Sequence, residues 1–284
     1  MRTGYKVVLF GVFFVSLCFF GFIISGIVQA QDEYVGTNNC GTCHPQEKKA
    51  YDTNAHSKAP GGLKTEEGIG CEACHGPGQA HVAIGPAKLM ELGKEKGDLK
   101  ILGSNDNKNM EMCKDCHTRT DNDNIILAAD DLIVDLQEYS ELARSKKAQF
   151  KMTCTMCHDQ HISVREKGGI KRQCLVCHTG KFKIEIKIKA MAGLACEDCH
   201  MPYAVRKNSD TMIKDYHKGD TRSHIFGISV DPDYKLNNGT KHASLTKDGL
   251  ARLTVEMTCN ACHKTGNAPD MSRDELLKNA AKIH

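Results

Sequence analysis

From Val7 to Val28 the chain runs for 22 residues without a charge and is mostly apolar, with Arg2 and Lys6 just before it. A basic start and an apolar run form the pattern of a secretory leader, and Val28-Gln29-Ala30 suits a signal peptidase. The run is longer than the roughly 7–15 residues of an ordinary signal core and could span a bilayer. Residues 1–30 therefore read as a cleaved signal peptide or as an uncleaved membrane anchor, and residues 31–284 as the exported domain. Beyond the leader the apolar positions are scattered. The spacing of Leu132, Ile133, Leu136, Tyr139, Ala143 and Phe150 predicts a helix over 130–150, and Ser272-Arg273-Asp274-Glu275 has the form of a capping box opening a terminal helix toward His284. Phe182, Ile184, Ile186 and Ile188 alternate with charged residues, which predicts a strand over 181–189. The Gly/Asn/Asp-rich stretches 103–109, 119–124 and 231–239 read as loops.

The cysteines change this picture of a sparse, ordinary globule. Of 15, one (Cys18) lies in the leader, where bulky Leu17 argues against lipoprotein attachment. The other 14 form seven copies of Cys-x-x-Cys-His, the attachment signal for c-type haem. The pairs are Cys40 and Cys43, Cys71 and Cys74, Cys113 and Cys116, Cys154 and Cys157, Cys174 and Cys177, Cys196 and Cys199, and Cys259 and Cys262. His44, His75, His117, His158, His178, His200 and His263 follow them as proximal iron ligands. Paired cysteines also build zinc sites or disulfides, but neither requires a histidine directly after every second cysteine. Beyond residue 30 there are about 36 residues per motif, too few for a protein core around each porphyrin. The fold expected is mainly α with extensive irregular loops, a compact multihaem cytochrome c whose stacked haems form the core.

The second axial ligand sets what each iron can do. A second histidine gives a low-potential carrier, methionine raises the potential, and an empty position admits substrate. Seven further histidines match seven irons: His81, His161, His224, His56, His217, His242 and His284. His161 lies three residues after His158 and His81 six after His75, too close in the chain to reach the opposite face of the same porphyrin, so each would ligate a neighbouring haem. His284 stands on a terminus, where fraying competes with ligation. Met110, Met112, Met152 and Met257 precede motifs and read as soft filler against porphyrin faces, with ligation as the alternative.

Formal charge is +3 at pH 7, and roughly fourteen haem propionates would move it toward acidic, so no electrostatic footprint for nucleic acid is present. The segment Cys71-Glu72-Ala73-Cys74-His75-Gly76-Pro77-Gly78-Gln79-Ala80-His81-Val82 resembles the second-haem segment of multihaem cytochromes related to the tetrahaem partner of hydroxylamine oxidoreductase. Cys196-Glu197-Asp198-Cys199-His200-Met201-Pro202, then Ser223-His224-Ile225-Phe226, then Cys259 to His263, resembles the C-terminal half of pentahaem nitrite reductases and octahaem relatives. The resemblance implies distal-ligand roles for His81 and His224, and makes Tyr34 to His44 the first haem segment. It does not carry over a catalytic haem, because pentahaem nitrite reductases commonly use Cys-x-x-Cys-Lys and no such motif occurs here. The expectation is an exported seven-haem c-type relay in the periplasm, on the extracytoplasmic face of the membrane or outside the cell, passing electrons between redox protein partners. The alternatives are an enzyme with one open haem acting on a small nitrogen or sulfur compound, and a homo-oligomer, filament subunit or membrane-complex subunit.

Overall fold

The computed structural model describes residues 34–59, 69–88, 107–120, 122–179, 185–214 and 216–284. The leader, residues 103–106 and 121 of the expected loops and the 181–184 part of the expected strand lie outside these ranges. The chain forms two compact units. The first is built from Met1–Leu102 with Asp159–Gly169, and the second from Gly103–His158 with Ile170–His284.

The first unit is a set of short helices, Thr37–Cys43, Pro45–Tyr51, Cys71–His75 and Gln79–Ile84, with a 3-10 turn at His56–Lys58. Pro45 suits the second helix because the first helical position needs no N–H. A buried carboxylate joins the pieces: Glu72 accepts from the backbone N–H of Val35 (2.9 Å), Gly36 (2.8 Å) and Gly78 (2.7 Å). Gly78 lies so close that a Cβ there would sit 3.1 Å from Glu72 Oε1, which leaves no room for a side chain without displacement. The Tyr51 hydroxyl donates to Ile69 O across 2.5 Å. The loop of Asp159–Gly169 closes through Asp159 N–H on Gly169 O at 2.9 Å, and a Cβ on Gly169 would run into Ser163 O.

The second unit holds a three-stranded sheet in the order β1-β2-β3. β1 (Ile133–Val134) pairs in parallel with β2 (Val205–Ile213), and β2 pairs antiparallel with β3 (Tyr216–Thr221), with a register irregularity between Val205 and Asp210. An aliphatic core lies beneath: Ile125, Leu127, Ile133, Ala204, Val205, Ile225, Leu236, Ala243, Ala251 and Leu253. This is more protein core than the residue count per motif suggests. It is one shared core, fed by the motif-free stretches 122–134, 204–205 and 225–253.

Several expected elements are corrected. The helix over 130–150 is instead strand β1 followed by helices Glu138–Ala143 and Lys146–Gln149. Asp131 (φ 66°) and Leu136 (φ 60°) are left-handed and break helical continuity, while branched Ile133 and Val134 take a place beside Val205 and Arg206. The Gln137 side chain holds this bend, accepting from Ile126 N–H (2.7 Å) and donating to Ile126 O (3.0 Å) and Val134 O (2.6 Å). Residues 107–109, expected as loop, begin helix Asn107–His117. The described part of the 181–189 strand is irregular and leads into a 3-10 turn at Lys189–Met191. The β2–β3 hairpin had no sequence signal, since its residues are largely polar and those of β2 largely exposed. The capping box does open helix Arg273–Ala280, with Glu275 Oε2 accepting from Ser272 N–H at 2.8 Å.

Candidate functional site

Each motif sits on or beside a helical turn, because Cys at i and i+3 with His at i+4 share a helix face. The closing bond is His N–H to the carbonyl of the first cysteine: 2.8 Å for His44 to Cys40, 2.9 Å for His158 to Cys154 and 3.0 Å for His178 to Cys174. No disulfide joins the described motif cysteines.

Four imidazole pairs bring motif histidines against sequence-predicted distal ones. In the first unit His44 faces His81 with ring centroids 6.4 Å apart, and His75 faces His161 at 6.2 Å with planes 4° from parallel. In the second unit His158 faces His224 at 6.0 Å, and His200 faces His284 at 5.8 Å. Two imidazoles on opposite faces of one iron, each bonded at about 2.0 Å, stand roughly 6 Å apart centre to centre. These four spacings fit an iron between the rings. Each pair joins a motif to a histidine remote in the chain, and neither His81 nor His161 faces the motif just before it.

The rings are held as ligands are held. His200 Nδ1 donates to Phe226 O (2.8 Å) and His263 Nδ1 to Pro269 O (2.6 Å), bonds that fix the tautomer and leave Nε2 as the lone-pair donor. His117 Nδ1 donates to Glu138 Oε2 (2.7 Å), and this bond pushes the His117 pKa up. Burial pushes His158 and His200 down and His224 down to about 4, which keeps them neutral, the form a metal requires. The Nδ1 atoms of His158 and His224 are buried without a hydrogen-bond partner. Phe226 presents its carbonyl from a left-handed backbone (φ 62°), a strained conformation for a bulky residue. Arg222 caps the motif helix Cys196–His200, its Nη1 donating to Glu197 O (2.6 Å) and Met201 O (2.9 Å).

The remaining predicted histidines have other surroundings. His217 Nδ1 lies 3.0 Å from Asp210 and 3.7 Å from Asp130, beside Arg206, which pairs with Asp130. His242 is exposed next to the Ile126 bridge, and His56 begins its 3-10 turn. The C-terminus that carries His284 is tied down rather than frayed, with Lys187 N–H on Ile283 O at 2.7 Å and His284 Nδ1 3.3 Å from Glu185 O. His178 faces an amine, Lys147 Nζ, 3.3 Å from its Nε2.

Thiols of successive motifs are electrostatic neighbours. Burial and then Cys71 push Cys40 up to about 11, while a hydrogen bond with Cys154 is the main influence on Cys113, holding it at about 7. After burial, Cys157 feels Lys147 and then Cys177, Cys174 feels Cys196, Cys199 feels Asp198 and then Cys262, and Cys259 feels Cys199.

Sequence reasoning did not single out Glu72, Glu138, Glu141, Lys147, Arg222 or Phe226. Glu72 occupies a variable position inside a motif, and nothing in the pattern marks it as a clamp. Glu141 is fully buried, accepts from Ser223 Oγ and His224 N–H at 2.6 Å each, and is pushed by burial up to about 8.

No family model matches the chain. It is 26% identical over 185 residues to the multiheme cytochrome MtrA of Shewanella baltica, spanning 62% of this chain and 48% of that one. It is 24% identical over 250 residues to the dissimilatory sulfite reductase MccA of Wolinella succinogenes, spanning 70% of this chain and 33% of that one. The solved octaheme sulfite reductase MccA matches with a TM-score of 0.47 at 18% identity, over 68% of this chain and 34% of that one. The chain thus spans half or less of the relatives it matches. The two sequence likenesses support a multihaem cytochrome with redox function and haem c as cofactor. No helix among the described residues is long and apolar enough to cross a membrane.

Proposed function

We propose that the chain is an exported electron-transfer protein that binds seven haem c groups, one per motif, and relays electrons between redox protein partners. The observation that supports the relay is the continuity of the thiols. Within each unit the titration of a thiol in one motif is influenced by a thiol of the next, between Cys40 and Cys71 in the first, and between Cys113 and Cys154, Cys157 and Cys177, Cys174 and Cys196, and Cys259 and Cys199 in the second. Attachment points that close bring their cofactor edges within short range of one another.

Bound haem iron would supply one-electron storage by cycling between ferric and ferrous states. The residues around it have distinct tasks. The fourteen cysteines attach covalently and fix position. His44 with His81, His75 with His161, His158 with His224, and His200 with His284 would close both axial positions of their irons, which favours transfer of electrons over binding of substrate. Phe226 O, Pro269 O and Glu138 orient three of the proximal rings. The stacked cofactors would serve as interior where the protein supplies little of its own. Residues 1–30 would direct export, and the mass of the mature N-terminus distinguishes a cleaved leader from an anchor.

Redox titration of wild type and His161→Met tests this reading. The variant is expected to raise the potential of one haem while the intact mass still shows seven; seven unaltered potentials would contradict the pairing. The enzyme alternative draws on the sulfite reductase relative. Turnover of sulfite, nitrite or hydroxylamine by the reduced protein would replace the relay reading with it.

A further inference from the structure

For His178 the facing group is an amine rather than an imidazole. We propose that the Lys147 amine is the second axial ligand of the haem attached at Cys174 and Cys177, opposite His178. This rests on the reading that the motif binds haem. In a Cys-x-x-Cys-His motif the proximal ring offers Nε2 to the iron, and the group facing Nε2 is the one positioned to take the opposite face. For His178 that group is Lys147 Nζ, at 3.3 Å. Two nitrogens bonded to one iron at about 2.0 Å each stand roughly 4 Å apart, so the amine need retreat by less than 1 Å.

Three features hold the amine there. Lys147 lies on the short helix Lys146–Gln149, whose cap Ser145 accepts from Lys147 N–H at 3.2 Å. Its Nζ rests 5.5 Å from the centre of the Phe226 ring, the residue whose carbonyl orients His200. It is also an electrostatic neighbour of Cys174, Cys157 and His200, which places it among the attachment points of three successive motifs. Among the described residues no carboxylate pairs with it, so no ion pair competes for the side chain. Coordination needs no oxidant or reductant: the ammonium gives its proton to solvent and the nitrogen lone pair bonds the iron. With this face taken by lysine, six iron faces remain for seven non-motif histidines, so one of these histidines serves no iron.

The test uses the full ferric holoprotein, with Lys147→Ala and Lys147→Arg, neither of which can ligate, and Lys147→His, which can. Intact mass counts haems, low-temperature EPR counts high-spin irons, and cyanide is the probe for an open face. Wild type is expected to be low-spin at this centre and to take up no cyanide there. The Ala and Arg variants should keep seven haems, convert one to high-spin and bind one equivalent of cyanide, and the His variant should restore the low-spin state. Unchanged spin states in both Ala and Arg variants, or a high-spin centre at this motif in wild type, overturn the assignment. A peptide map without haem on Cys174 and Cys177 overturns it together with the haem reading, whereas the first two outcomes leave that reading standing.

Discussion

The two units solve the same problem with different means. Among the described residues of the first, Tyr51 is the buried apolar side chain, and the segments are joined by polar groups, chiefly the Glu72 carboxylate on three backbone N–H donors. The second has a sheet and an aliphatic core with Ile133, Ile225 and Leu253 fully enclosed. Both bring imidazoles into pairs spaced for a shared iron. The difference teaches that histidine pairing does not depend on a protein core. On the proposed reading, cofactors would supply most of the buried apolar area in the first unit and would add to an existing scaffold in the second.

Removing haem should break the comparison most strongly. Protein made without haem attachment is expected to lose amide protection throughout the first unit, while amides around Ile133, Val205 and Leu253 keep part of theirs; hydrogen exchange reads both. Equal loss in both units would show that the aliphatic core does not stand alone. Next in size is Leu253→Ala, which empties the centre of the second core and should cost about 2–5 kcal/mol in denaturant unfolding of the holoprotein, with both first-unit haem potentials unmoved.

Glu72→Gln reverses the emphasis. It keeps the shape of the clamp but removes its charge, and about 1.5–3 kcal/mol should be lost from the first unit. The smallest effect concerns pH. Glu141 is raised by burial to about 8 in the fold, so its contribution is fully present below the unfolded carboxyl value of 4.5 and is lost as pH rises through 8. Glu141→Gln keeps an acceptor for Ser223 and His224 and should flatten that decline, with a gain on the order of 1–2 kcal/mol at pH 8 relative to pH 5.

What the sequence made legible follows the covalent chemistry. Seven motifs marked the thiols and the histidines expected as proximal rings, and chain distance alone argued against His81 and His161 serving their own motifs; the structure sets them facing His44 and His75. Local signals succeeded where the energetics are local, as with Ser272 and Glu275. They failed where tertiary contacts decide. Ile133 and Val134 are periodic enough for a helix, but pairing with β2 outweighs that pattern, and the left-handed Leu136 completes the break. Glu72, Phe226 and Lys147 act through a carboxylate inside a motif, a carbonyl and an amine, none of which has a sequence signature. The aliphatic core was underestimated because dividing residues evenly among motifs hides the long motif-free stretch after His200.

The central claim is that seven covalently held irons are each closed on both faces by groups from this chain. Low-temperature EPR on the ferric holoprotein, with its intact mass measured on the same sample, tests it most directly. Seven haems by mass and seven low-spin irons with no uptake of cyanide or nitric oxide are predicted. A high-spin iron that binds either ligand would contradict the claim and mark an open site.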